Sequence, residues 1–322
     1  MIKNILFGSV GFIATGIVIG IIYFSLVLPN VSEPPKLEIE YTDERVERGR
    51  YLVENVTVCT TCHTNRQHQI FSQPIDSSRI GGGNLAPFVE EGVGRLYAAN
   101  ITPYNLKNWT DGELYRAITA GVDRDGNALF PLMPYQHYAE MDREDIFSII
   151  AYVRTLDPIE QEVPDSELEF PMNLIVKTIP RDPNPQPRPP KTDTIAYGRY
   201  LVNAASCSSC HTPKDAQGQP LPGLELAGGF EFPMPTGGVA RSSNITPDTA
   251  TGIGTWTEEK FVARFKSYVA GVRAVKEQQF NTEMPWTSFG GMHEDDLKAI
   301  YAYLRTVAPV EHKVTAFSSD IQ

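Results

Sequence analysis

An all-α chain of two tandem lobes, set behind an amino-terminal transmembrane helix, is the fold class that three features of the sequence predict. Most of the chain occurs twice, each copy carries the same helix start and stop signals, and the first residues form one long uncharged apolar run. The 322 residues allow about two domains at the usual ~150 each. Hydrophobic residues make up 41% and charged residues 21%, which argues against wholesale disorder and against a multi-span membrane protein. Lys plus Arg is 28 against 39 for Asp plus Glu, a net charge of −11. A nucleic-acid partner, which needs basic surface to displace counterions, is therefore not expected.

Ile5 to Leu28 contains 24 residues without a charge and follows Lys3. At 1.5 Å per residue such a helix reaches roughly 36 Å, slightly more than a hydrocarbon core of about 30 Å. A cleaved signal peptide has a shorter apolar region, about 7–15 residues, ending in a small-residue cleavage site, and neither is found. Residues 1–40 are thus expected to be a membrane anchor and its linker. Lys3 biases the start toward the cytoplasm, which places the remainder on the outer face of a bacterial inner (cytoplasmic) membrane.

The repeat organises the rest. Gly49-Arg50-Tyr51-Leu52-Val53 returns as Gly198-Arg199-Tyr200-Leu201-Val202, and Cys59-Thr60-Thr61-Cys62-His63-Thr64 as Cys207-Ser208-Ser209-Cys210-His211-Thr212. Asn100-Ile101-Thr102-Pro103 matches Asn244–Pro247, Trp109-Thr110 matches Trp256-Thr257, Met133-Pro134-Tyr135 matches Met284-Pro285-Trp286, and Ala151–Thr155 matches Ala302–Thr306. The offsets stay between 144 and 151, so one domain occurs twice with small loop changes, at about 41–160 and 193–310. Six prolines between Pro180 and Pro190 make 161–192 a stiff extended linker, with apolar Phe170–Ile179 lying along a lobe surface; 311–322 is a tail.

Within each lobe the helices follow from their caps. Asp43–Asn55 and Thr194–Ala204 lead into the cysteine motif, and Gly49/Tyr51 and Gly198/Tyr200 are expected to face Tyr152 and Tyr303 as core packing, glycine permitting close crossing of the first and last helices. Thr110-Asp111 starts a helix with Leu114 and Ile118 on one face and Gly121 at its end; Thr257 starts the partner, with Phe261 and Phe265 inward and Gly271 closing it. The last helices run from Asp142 to about Leu156 and from His293 to about Val307. The Pro- and Gly-rich segments 74–103 and 213–247 are expected to hold a short hairpin at most.

C-x-x-C-H is the attachment sequence for c-type haem. Each cysteine sulfur adds across a porphyrin vinyl group, the two-residue gap matches one helical turn to the vinyl spacing, and the histidine becomes an axial ligand of the iron. Two such motifs, Cys59/Cys62/His63 and Cys207/Cys210/His211, stand at matching repeat positions and use every cysteine in the chain. The rival readings fit worse. Zinc pairs usually lie about 15–20 residues apart, whereas 144 residues separate Cys62 from Cys207. A thioredoxin-like dithiol needs a βαβ context, and local disulfides leave both histidines without a role.

A methionine thioether as sixth ligand favours ferrous iron and raises the potential. Two methionine pairs occupy matching positions: Met133 with Met284, and Met141 with Met292. The second pair precedes a helix start as a hydrophobic staple does, Met141 against Ile146 and Met292 against Leu297. Met133 and Met284 each precede a proline, which biases the methionine toward extended backbone and suits it to hold a ligand; they are the expected pair. His137 and His68 are the alternative ligands for the first haem, though neither has a repeat counterpart and a loop role fits both. Met234 and Met172 read as packing residues. Trp109 and Trp256 either bond a haem propionate through the indole N–H or lie buried beside the macrocycle. Asn100 and Asn244 fix the loop before the tryptophan.

On these residues each lobe resembles a class I cytochrome c, and residues 41–310 resemble the multihaem cytochrome c subunits of membrane-bound alcohol, gluconate and related dehydrogenases. The resemblance rests on Asn244–Trp256 and Ala302–Arg305, on Asn100–Pro103 and Met133–Tyr135, and on Phe170-Pro171-Met172-Asn173. It implies tandem class I cytochrome c domains with His63/Met133 and His211/Met284 as axial pairs. This chain departs from that family in having two haem motifs rather than the usual three. Tyr104–Asn108 replaces the Thr-Gly-Ile-Gly stretch in the first lobe, and Asn281-Thr282-Glu283 precedes Met284 without the proline found at Pro131. The expected function is single-electron relay through two covalently bound haems c in a periplasm-facing respiratory chain, as a carrier or as the electron-transfer subunit of a complex and not itself an enzyme. The expected partners are a dehydrogenase, a quinol-oxidising complex or a terminal oxidase. The alternative is a dihaem enzyme such as a cytochrome c peroxidase, which needs one haem with an open sixth position.

Overall fold

The computed structural model describes residues 20, 23–24, 27–90, 92–215, 218–268 and 273–319. The first lobe contains α1 (Asp43–Tyr51), α2 (Cys59–Cys62), α3 (Asp111–Ala120), α4 (Tyr135–Tyr138) and α5 (Arg143–Val153). The second repeats the series as α6 (Thr194–Ala204), α7 (Cys207–His211), α8 (Glu258–Lys266), α9 (Trp286–Phe289) and α10 (Glu294–Leu304). The caps explain the boundaries. Thr110 and Glu113 form a reciprocal capping box on α3, and Gly121 at φ 72° ends it in the left-handed conformation that glycine adopts without steric cost. Thr257 caps α8 by accepting the Lys260 N–H, and Asp142 caps α5 by accepting the Glu144 N–H. Gly271, the expected end of α8, lies outside the described residues.

Among the described residues the chain is mixed rather than all-α, with 35% helix and 9% strand. Two three-stranded antiparallel sheets form, β1 (Phe88–Glu90), β2 (Gly94–Leu96) and β3 (Glu167–Leu168), then β4 (Glu231–Pro233), β5 (Val239–Arg241) and β6 (Phe317–Ser318). The central hairpins fall inside the two Pro- and Gly-rich segments. The third strand of each is the chain returning after the last helix, Arg95 opposite Glu167 and Ala240 opposite Phe317. Strands of two or three residues are too short to show an alternating pattern, and a partner more than 70 residues away leaves no local trace.

The transmembrane expectation also fails to find support. Among the described residues no helix is long and apolar enough to cross a membrane, and most of Ile5–Leu28 lies outside those residues.

The first and last helices of each lobe cross closely, α1 on α5 and α6 on α10. A Cβ at Gly49 would run into the Ser148 carbonyl, and one at Gly198 into the Ala299 carbonyl. Because the obstacle is backbone on the facing helix, Gly198→Ala is expected to cost about 2–3 kcal/mol, read as a lower denaturation midpoint. A loss below about 0.5 kcal/mol would show that the helices separate freely.

The two first helices differ in one respect. Ten residues lead from Gly49 to Cys59 but nine from Gly198 to Cys207. The additional residue is absorbed as a π-helical turn over Leu52–Val56, which continues α1 directly.

The lobes meet by exchanging equivalent contacts. Tyr51 donates to Asp296 at 2.7 Å and Tyr200, its repeat counterpart, donates to Asp145 at 2.6 Å, so each first helix binds the last helix of the other lobe. Tyr51 stacks on His293, ring centroids 4.2 Å apart. Asn55 donates to the Ser288 carbonyl and Asn203 to the His137 carbonyl, both at 2.9 Å. The proline-rich segment is tied to the first lobe, Asn184 N–H to the Ala139 carbonyl at 3.0 Å and Arg188 to Asp145 at 2.6 Å.

Candidate haem site

Each cysteine motif is entered through a left-handed residue, Val58 at φ 44° and Ser206 at φ 52°. This turn ends the preceding helix and starts the short helix that sets its two cysteines one turn apart. None of the four cysteines is in a disulfide. Burial pushes Cys59 and Cys210 up to about 11 and Cys207 up to about 12. Cys62 is raised by burial too, with Arg66 opposing and Glu283 adding. Cys62 and Cys210 are exposed on the wall of a large cavity that carries both motifs. Among the described residues no group of three or more His, Cys, Asp or Glu could hold a bare metal ion.

His63 Nδ1 lies 2.7 Å from the Ala99 carbonyl, and His211 Nδ1 lies 2.7 Å from the Ser243 carbonyl. A carbonyl only accepts, so Nδ1 carries the proton and Nε2 keeps its lone pair for a metal. Burial holds both imidazoles below the ordinary histidine range, which favours the neutral, ligating form.

The Asn-Ile-Thr-Pro motif sets those carbonyls. Asn100 Oδ1 accepts the Thr102 N–H at 2.9 Å and the hydroxyl at 2.7 Å, while its amide donates to the Ile159 carbonyl at 2.8 Å. Asn244 repeats this with Thr246 and the Val310 carbonyl. Each asparagine therefore clamps the loop to the segment after the last helix and fixes the carbonyl one residue upstream. Ala99 and Ser243 carry no signal of their own, since any residue offers that carbonyl; the asparagine that follows is what marks them.

One cavity of about 4600 Å³ carries both motifs on its wall, together with Met133, Met284, Trp109 and Trp256. Met141 and Met292 are fully buried in the hydrophobic core instead, 0% and 1% exposed. Met172, read as a packing residue, reaches the cavity wall, as do Ile175 and Ile179 beside it. His137 spends both ring nitrogens on the second lobe, Nδ1 with Asn203 Oδ1 at 2.8 Å and Nε2 with Ser209 Oγ at 2.9 Å. His68 lines the cavity but its Nδ1 is bonded to Gln73 Oε1 at 2.6 Å. The arrangement fits a covalently attached haem c at each motif: two cysteines one turn apart, an imidazole of fixed tautomer, a methionine thioether and an apolar wall. The sequence reading missed Arg66, Ser72 and Gln73, first-lobe side chains that reach the loop of Met284; none lies in a repeated motif.

Residues 195–308 match the Cytochrome c family model. The chain is 30% identical over 276 residues to the fructose dehydrogenase cytochrome subunit of Gluconobacter japonicus, 81% of this chain and 52% of that protein. It is 28% identical over 292 residues to the cytochrome c subunit of the alcohol dehydrogenase (quinone) of Gluconacetobacter polyoxogenes, 82% of this chain and 56% of that protein. With the gluconate 2-dehydrogenase cytochrome c subunit of Pantoea cypripedii it shares 27% over 316 residues, 92% of this chain and 67% of that one. The chain thus spans about half to two thirds of the length of these relatives.

Proposed function

From a chain that carries a cytochrome c domain and is homologous to cytochrome c subunits of alcohol, fructose and gluconate dehydrogenases, we propose a dihaem c-type cytochrome that relays single electrons. Cys59 and Cys62 would hold the first haem, with His63 and Met133 to ligate its iron; Cys207 and Cys210 would hold the second, with His211 and Met284. The observation that carries this reading is the single cavity whose wall bears both attachment motifs and both Met-Pro loops.

Bound haem supplies an iron that alternates between ferric and ferrous states. The protein does the rest by holding and shielding. The Ala99 and Ser243 carbonyls orient the imidazoles and raise their basicity through Nδ1. Ile101, Leu106, Ile245 and Phe261 on the cavity wall keep water out and the local dielectric low, which with the methionine ligands favours the reduced state. Were Met133 and Met284 both to ligate, neither iron would keep an open position for substrate, which favours a relay over a dihaem peroxidase.

The relatives suggest a dehydrogenase as electron donor, and a quinol-oxidising complex or terminal oxidase is the class of redox protein that completes the relay. We place the haem lobes on the periplasmic side of the bacterial inner membrane, in a respiratory chain. The purified chain is expected to contain two haems that resist acidified acetone, and to show two one-electron steps with a methionine-to-ferric charge-transfer band. A high-spin ferric signal or turnover of hydrogen peroxide would favour the enzyme; pigment lost to acidified acetone would end the reading.

A further inference from the structure

The two methionine loops are built differently. Met133 follows Pro131 by two residues, whereas Met284 follows Asn281-Thr282-Glu283. The second loop lacks that proline; within it Thr282 Oγ1 accepts the Met284 N–H at 3.1 Å and Asn281 Oδ1 the Thr282 N–H at 2.8 Å, and the other lobe adds contacts of its own. Ser72 Oγ donates to the Met284 carbonyl at 2.8 Å and accepts the Trp286 N–H at 2.9 Å, so one hydroxyl brackets the Met-Pro step. Arg66 Nη1 pairs with Glu283 Oε2 at 2.6 Å, and the Gln73 amide donates to Oε1 at 2.6 Å. Asn281 Oδ1 accepts the Ser72 N–H at 2.9 Å, and its amide donates to the His68 and Ile70 carbonyls at 3.1 and 3.2 Å. The Phe71 N–H donates to the Arg273 carbonyl at 2.9 Å and the Val275 N–H to the Gln69 carbonyl at 2.8 Å.

These groups are interior. Asn281 is 0% exposed, Ser72 and Gln73 1% each, and the Arg66 side chain 5%. Arg66 lines the cavity with its Nη2 unpartnered among the described residues, a buried donor available to an acidic group of whatever fills that space. Around Met133 the second lobe provides no matching clamp among the described residues; its nearest hydrogen bonds go to His137, four residues on.

We propose that the 66–75 segment of the first lobe is the positioning element for the Met284 ligand, so that ligation and potential at the second haem are set across the lobe boundary. This rests on the dihaem reading above. A part-buried ion pair, with Glu283 24% exposed, and the hydrogen bonds above hold the ligand loop across the lobe boundary, so Met284 would keep its place toward an iron only while the lobes are in contact.

The test uses the full chain carrying both haems, with Arg66→Met, Ser72→Ala and the conservative Arg66→Lys. Covalent haem content, the methionine-to-ferric charge-transfer absorbance and a two-step potentiometric titration are read together. Arg66→Met is expected to remove about half of the charge-transfer absorbance and to lower one of the two potentials while leaving the other in place. Ser72→Ala, which deletes one oxygen atom and keeps the test open should Arg66→Met fail to mature, shifts the same potential by less. Arg66→Lys, which keeps the charge facing Glu283, restores most of the band. Full absorbance with both potentials unchanged in Arg66→Met and Ser72→Ala would overturn the proposal, as would both potentials falling together. A parent chain without the band would instead remove the dihaem reading beneath it.

Discussion

A chain in which Cys207 and Cys210 are both alanine is expected to carry about one covalent haem where the parent carries about two, by difference spectroscopy of the alkaline haemochrome. Alanine has no sulfur to add across a vinyl group, and the remaining cysteines belong to the other motif. The loss reaches beyond colour. Ile245, Trp256, Phe261, Phe265, Phe289, Ile300 and Leu304 line the cavity, and without a filling group they forfeit the contacts that close packing supplies. The second lobe of this variant is therefore expected to melt at lower temperature than the first. Because Tyr51 hydrogen-bonds to Asp296, the first lobe should lose stability as well, so both transitions move. Retention of both haems would show that these two cysteines are not attachment points.

Asp145→Ala is expected to destabilise the chain by about 3–5 kcal/mol, measured as a shift of the urea midpoint at constant slope. Asp145 is 1% exposed and receives three partners from three segments: Arg48 through two bonds of 2.8 and 3.0 Å, Arg188 at 2.6 Å and Tyr200 at 2.6 Å. Removing the carboxylate leaves Arg48, 21% exposed, as a cation without its counter-charge and Tyr200 without its acceptor. A guanidinium keeps its proton throughout the accessible pH range, so Arg48 does not escape the loss by deprotonating. Asp296→Ala should cost less, because the cation facing Asp296 is Lys191, whose side chain is 59% exposed and regains water easily. A loss below about 1 kcal/mol for Asp145→Ala would mean that the Asp145 cluster contributes little to holding the fold together.

The repeat explains why these contacts were invisible beforehand. Tyr51 and Tyr200 are equivalent, and so are Asp145 and Asp296, so the sequence allows each tyrosine to meet the aspartate of its own lobe or of the other. Close crossing at Gly49 and Gly198 was legible, since only glycine lets two backbones approach so nearly. That Tyr51 leaves its own lobe for Asp296 and His293 was not. The third strands were equally silent, because β3 and β6 acquire their identity from pairing with β2 and β5 rather than from their own residues.

What the sequence alone determined is whatever depends on neighbours along the chain. Two attachment motifs with their histidines, the methionines placed before proline, and helices bounded by Thr110, Gly121, Asp142 and Thr257 all follow from spacing and capping within a few residues. The tertiary structure alone decided the mixed character of the fold, the swapped tyrosine–aspartate pairs, and the hold of Arg66, Ser72 and Gln73 on the loop of Met284. These contacts join residues far apart in the chain, and a duplicated domain gives each residue two equivalent candidate partners. Only the packing of one copy against the other chooses between them.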